Sequence, residues 1–264
     1  MTYFSFLTIF LGIPLAILLG LTWLDACRGR RLPLVLQTWS PAGAVLLHVL
    51  IAVIYTTPWD NYLVATGIWY YHPQRVTGVL LGWVPIEEYT FFILQSLLTG
   101  VWLLFLARRM KLSESPLAKQ VRLRLGSVLL LGFFVMLGIA ILGVGWQQGA
   151  YLALILVWAL PPIMIQIAWG GHILWQYRRL VLASLISATL YLSAADSLAI
   201  GSGVWTIDQQ QSTAIFLFGE LPLEEFVFFL ATNTLLIFGI ILALARPSLE
   251  QLAALRQKVK ASTD

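Results

Sequence analysis

Apolar residues run along this chain in long blocks instead of alternating with polar ones. Seven stretches stand out: Tyr3–Leu24, Thr38–Thr56, Pro85–Ala107, Leu123–Val144, Tyr151–Trp169, Leu180–Ser197 and Phe216–Ala245. Each is near or above the roughly 20 residues that a helix needs to cross a bilayer. The pattern predicts an all-α, polytopic membrane protein with seven transmembrane helices. No basic residue precedes the first block and the positive charges follow it. It therefore reads as an anchor with its N-terminus outside, not as a cleaved leader. In that topology 15 of the 16 lysines and arginines share one side, Arg75 being the exception, while 8 of the 12 acids lie on the other. The positive-inside rule makes the basic side cytoplasmic and puts the C-terminus in.

Composition strengthens this reading. Apolar residues make up 59% and charged ones 11% of the 264 positions, against roughly 45–50% and about 25% in globular proteins. Mean hydropathy is +0.86. A water-soluble enzyme, a disordered chain and a nucleic-acid binder are poorly matched, and the pI of 9.3 reports orientation instead of an anionic partner. With Cys27 alone and His48, His72 and His172 scattered, neither a disulfide framework nor a metal site is expected. Nucleotide-binding glycine motifs are absent.

The chain also resembles itself. Tyr55, Asp60, Gly67 and Trp69 match Tyr191, Asp196, Gly203 and Trp205 at an offset of 136. Pro85, Glu87, Glu88, Phe91 and Phe92 match Pro222, Glu224, Glu225, Phe228 and Phe229 at 137, one residue being inserted between the two sets. More faintly, Pro14 and Arg30-Arg31 correspond to Pro162 and Arg178-Arg179 at 148. Two three-helix units (1–110 and 150–250) joined by one helix (111–149), with a cytoplasmic tail (251–264), form a 3+1+3 parallel repeat about an axis along the membrane normal. Both acidic segments then lie on the outer side, where they can face one another.

Each repeat carries Pro-x-Glu-Glu at the start of a span. Acids in a first helical turn gain about 0.3–1 kcal/mol from the helix dipole, which is one account of them. Their apolar flanks point to another, because ionisable groups below the membrane surface are costly and usually functional. A carboxyl taken out of water resists ionisation, and a neighbouring carboxylate adds to the resistance. The pairing leaves a protonated acid beside an ionised one, as acid/base catalysis requires. Asp60 and Asp196 are further proton-holding candidates, or else loop-solvated acids. Around them Trp69, Phe91, Phe92, Trp205, Phe228 and Phe229, with Tyr55, Tyr191, Gln95 and Asn233, are candidate contacts for a long apolar substrate. Aromatic faces can stabilise a cation, although ordinary membrane packing also uses such residues. A turn near His72-Pro73 suggests a short hairpin lid, mirrored near Asp208.

The doubled Pro-x-Glu-Glu element, with its upstream Asp and Trp, resembles the membrane-integral lycopene cyclases in their fused form. The resemblance implies conversion of the acyclic ψ ends of lycopene to β-ionone rings, through γ-carotene to β-carotene. It places the essential acids at Glu87, Glu88, Glu224 and Glu225. This is an isomerisation through a carbocation and needs no redox cofactor. Lycopene, membrane lipid and other carotenoid-pathway enzymes are the implied partners, and a prokaryotic cytoplasmic membrane the implied location. Paired buried acids also suit a proton-coupled transporter, and a fifty-carbon cyclase or end-group hydratase would share the cation. A retinal protein is disfavoured because Lys111, Lys119, Lys258 and Lys260 all fall outside the spans.

Overall fold

The computed structural model describes residues 1–112 and 120–261, without the side chains of residues 258–261. Lys119, the side chains of Lys258 and Lys260, and residues 113–119 of the linking segment lie outside the described residues. The chain is mostly helical, with seven helices long and apolar enough to cross a membrane. They are α1 (Tyr3–Cys27), α2 (Pro41–Ala65), α3 (Ile86–Ala107), α4 (Val121–Gly143), α5 (Ala150–Gln176), α6 (Arg178–Gly201) and α7 (Leu223–Leu244). A further amphipathic helix, α8 (Arg246–Ala261), follows.

Three boundaries differ from the apolar pattern by seven residues or more, and α5 is one of them, running past Trp169 to Gln176. α2 continues beyond Thr56 to Ala65, because Trp59 and Asp60 are buried by neighbouring elements and not left to solvent. α7 begins at Leu223 instead of Phe216. Phe218 and Gly219 have φ values of 53° and 92°, which a right-handed helix does not accommodate. Pro222, in extended conformation, then caps the helix.

α3 and α7 form the centre. About 56% and 61% of their apolar windows are buried, against 6% for α4, which packs on α5 at the periphery. α3 packs on α1, α2, α6 and α7; α7 packs on α2, α3, α5 and α6. Polar side chains join the central pair: Thr99 donates to Asn233 Oδ1 (2.8 Å), Asn233 to Thr189 on α6 (3.3 Å), and Gln95 to Thr232 (3.2 Å).

Prolines shape α1 and α5. Pro14 and Pro162 have no N–H, so the carbonyls of Phe10 and Trp158, four residues back, lose their helical partners. In each case a tyrosine from another helix replaces the missing donor. Tyr191 donates to Phe10 O (2.7 Å) and Tyr55 to Trp158 O (2.8 Å). Just before Pro14, residues Thr8–Gly12 widen into a π-turn.

At the end of the bundle where α3 and α7 begin, short strands close the loops. β1 (Trp69–Tyr71) pairs antiparallel with β4 (Trp205–Ile207), joining the two loops. β2 (Leu80–Leu81) pairs with β3 (Val84–Pro85), and β5 (Phe216–Leu217) with β6 (Leu221–Pro222). The hairpins therefore turn at residues 82–83 and 218–220 instead of near His72-Pro73 and Asp208. The reason is local: Gly82 and Gly219 supply the positive φ that tight turns need.

Candidate active site

Pro85 and Pro222 end the hairpins and cap α3 and α7, fixing where the two acidic pairs enter the bundle. Within each pair the side chains diverge. Glu87 and Glu224 turn back to the loops and accept the backbone N–H of Thr77 and Thr213, both at 2.6 Å. Glu88 and Glu225 instead line one cavity with Asp196. Glu88 Oε2 accepts hydroxyls from Tyr3 (2.5 Å) and Tyr71 (2.9 Å), whereas Glu225 Oε1 accepts one from Tyr151 (2.6 Å). Asp196 Oδ1 accepts the indole N–H of Trp205 (3.1 Å). Asp60 is fully buried just behind, and neither of its oxygens has a hydrogen-bond partner among the described residues.

The walls are aromatic. Trp69, Phe91, Trp205, Phe228 and Phe229 line the cavity with Tyr3 and Tyr71. Trp205 meets Tyr3 at 4.9 Å and Phe6 edge-on at 5.1 Å; Trp69 stands edge-on to Phe228 (5.9 Å) and Tyr151 (5.8 Å). Trp59, Trp158 and Phe228 stack on one another behind them. The free space is about 20 Å³, room for about one water molecule. An end group of any size must displace side chains to enter.

All six carboxyls, Asp60, Glu87, Glu88, Asp196, Glu224 and Glu225, are at most 4% exposed. Among the described residues none of them forms an ion pair. Several anions cannot share such a site uncompensated. Tyr71, in the loop, has its phenol pushed well above the usual range, first by burial and then by the Glu88 charge beside it. It stays a neutral donor. No group of three or more His, Cys, Asp or Glu among the described residues is arranged to hold a metal ion.

Eight of the sixteen candidates thus meet at one cavity: Glu88, Glu225, Asp196, Trp69, Trp205, Phe91, Phe228 and Phe229. The others lie elsewhere. Glu87, Glu224 and Asp60 stand behind it; Tyr55, Phe92 and Gln95 line a groove between α2, α3, α5 and α7; Tyr191 lines another between α1, α3 and α6; and Asn233 sits between the central helices. Sequence reasoning passed over Tyr3, Tyr71 and Tyr151. A signal for two of them was present, since Tyr3 and Tyr151 stand at the same offset of 148 as Pro14 and Pro162. Their backbones are also held alike, by Arg75 O (2.8 Å) and Gln211 O (3.0 Å).

No family model matches the chain, and no solved structure matches it. Curated relatives do. A lycopene beta-cyclase of Halobacterium salinarum is 39% identical over 242 residues, covering 91% of this chain and 95% of the relative. Bifunctional lycopene cyclase/phytoene synthases of Podospora anserina and Colletotrichum graminicola are each 35% identical, over 72% and 74% of this chain and 33% and 34% of their own length.

Proposed function

The chain belongs to the lycopene beta-cyclase family, and on that premise we propose that it cyclises the ψ ends of lycopene to β-ionone rings by proton transfer at the Glu88–Glu225 cavity. The observation that carries the proposal is the placing of two carboxyls, each hydrogen-bonded to tyrosine, in one aromatic cavity with no cation from the described residues. A carboxylic acid protonates the terminal double bond. The internal alkene attacks the tertiary cation and closes the ring. A carboxylate then removes a ring proton, leaving the β double bond and restoring the proton count. The rings of Trp69, Trp205 and Phe228 offer π faces to the cation.

The two acids divide these roles. Glu88, whose Oε2 takes two phenolic hydroxyls, is equipped as the base. Glu225, with one, is the acid. Glu87 and Glu224 hold the loops that roof the site, and Asp60 and Asp196 serve as nearby proton stores.

The wider arrangement is a 3+1+3 parallel repeat, with units 1–110 and 150–250, the linking helix in 111–149 and a tail from 251. The centre of the β1–β4 ribbon supports it. Tyr70 pairs with Thr206, its own counterpart at the offset of 136, as a two-fold axis through the ribbon requires. Turns of two and three residues in the hairpins account for the single inserted residue. By the distribution of basic residues the acid end faces outward from a prokaryotic cytoplasmic membrane, with the C-terminus inside. Lycopene and membrane lipid are its partners, with other carotenoid enzymes upstream. Expression in a lycopene-accumulating bacterium tests the activity. Conversion to γ- and β-carotene is expected, and unchanged lycopene in the presence of membrane-inserted protein would refute it.

A further inference from the structure

Beneath the acid cavity, α1 and α6 both pack on α3 but leave a groove of about 480 Å³ between them. That volume lies in the roughly 300–1,000 Å³ range of ligand clefts. We infer that this groove holds the polyene tail of the substrate while one end group occupies the acid cavity. The inference rests on the cyclase reading above.

Continuity is the first argument. On α3, Phe91 lines the cavity, and Leu98 and Trp102 line the groove. Leu98 and Trp102 stand ten and fourteen residues beyond Glu88, roughly 15 and 21 Å along the helix. On α6, Asp196 lines the cavity, and Leu192 and Ala188 line the groove one and two turns away. Between the two spaces stands the irregular part of α1. There the Thr8–Gly12 π-turn and the Tyr191 bond to Phe10 O replace regular helical bonding, and π-turns gather at functional positions.

Chemistry of the lining is the second argument. Its hydroxyls are used internally: Thr99 donates to Asn233, and Ser187 donates to Ala183 O and accepts from Trp102. What remains is carbon surface, open laterally past the exposed Ile17 and Leu21. Such a slot suits a long apolar chain and offers a polar headgroup nothing. The groove between α2 and α5 differs. It is smaller, about 200 Å³, and presents His48, Gln95 and Gln166, whose Oε1 is unpartnered among the described residues. The tail is therefore assigned to the α1–α6 side.

Ala188 and Ala52 occupy corresponding places in the two grooves, so each controls for the other. In a lycopene-accumulating strain, normalised to membrane-inserted protein, Ala188→Trp is expected to lower ring formation at least ten-fold. Ala52→Trp should stay within two-fold, and Trp102→Ala added to Ala188→Trp should restore at least half of the lost activity by reopening space. Wild-type activity in Ala188→Trp, or no recovery in the double variant, overturns the groove. A direct measurement stands beside these: a photoreactive benzoylphenylalanine at position 17, in a Glu225→Gln background, should capture lycopene. Capture of phospholipid alone, or of nothing, overturns the assignment. Absence of rings from the unaltered chain would count against the cyclase reading itself, while lycopene capture at position 17 would still support the groove.

Discussion

Asp25 and Glu225 are both buried acids in helices long and apolar enough to cross a membrane, at opposite ends of the bundle, and they are treated in opposite ways. Asp25 near the end of α1 is 1% exposed and is clasped by both guanidinium nitrogens of Arg109 beyond α3, with Arg30 at 3.6 Å. It ties two helix ends together. Glu225 is 3% exposed and meets a phenol, aromatic faces and further carboxyls, with no ion-pair partner among the described residues. A charge that serves the fold is neutralised where it lies. A carboxyl left without a counter-charge is free to give up or take a proton, at a cost that the rest of the structure must cover.

The comparison breaks most sharply at the unpaired end. Glu225→Gln and Glu88→Gln remove a carboxyl but keep the shape. Ring formation should fall about 10³-fold, within the usual range for general acid–base groups, with membrane abundance unchanged. The two should differ in products. On the proposed assignment, Glu225→Gln should leave lycopene intact, whereas Glu88→Gln should give traces of ring isomers or hydrated end groups by chromatography. Identical product profiles would refute the division of roles.

At the paired end the expected loss is of stability. Arg109→Ala strips Asp25 of its bidentate partner and should cost about 2 kcal/mol. That is less than the 3–5 kcal/mol of a fully enclosed pair, because Arg109 keeps 30% of its side-chain surface and Arg30 remains. Thermal unfolding in detergent would register it, while turnover per folded molecule should stay within about two-fold. Glu87→Gln and Glu224→Gln fall between the two ends. The amide oxygen can still accept from Thr77 or Thr213, so turnover should drop by about ten-fold or less, through loosened loops. A loss as large as that of Glu88→Gln would place them in the chemistry.

The contrast also shows what could be read from the sequence. Seven apolar blocks exposed the seven helices because hydrocarbon length is a one-dimensional property. The doubled acids were equally visible. Which member of each pair faces the cavity was not, since adjacent residues on a helix point about 100° apart and only the neighbours decide which direction is inward. Tyr55 and Tyr191 resembled substrate contacts because they recur. Their hydroxyls are spent on carbonyls freed by Pro162 and Pro14, a relation that joins positions 103 and 181 residues apart. Tyr3 escaped notice because it stands at the edge of the first apolar block, where an aromatic reads as an interfacial residue.

The smallest effect belongs to the feature that makes the two halves unequal. Tyr71 gives Glu88 its second hydroxyl, and Ile207, which has none to give, stands at the matching position of the second repeat. Tyr71→Phe leaves Tyr3 in position, so turnover should fall only about three- to ten-fold, the value of roughly 1 kcal/mol for one hydrogen bond. Tyr151→Phe, which removes the phenolic partner of Glu225, should cost more. The pH profile sharpens the point. Burial and the Glu88 charge raise the Tyr71 phenol well above its ordinary value, near 10 for a free phenol. Raising the value of an acid keeps its neutral form to higher pH, so Tyr71 remains a donor through that region. Wild type and Tyr71→Phe should therefore show the same alkaline limb in membranes assayed up to pH 10. A limb present in wild type and absent from the variant would mean that Tyr71 ionises within the working range, and that the second hydroxyl is a titrating group instead of a fixed donor.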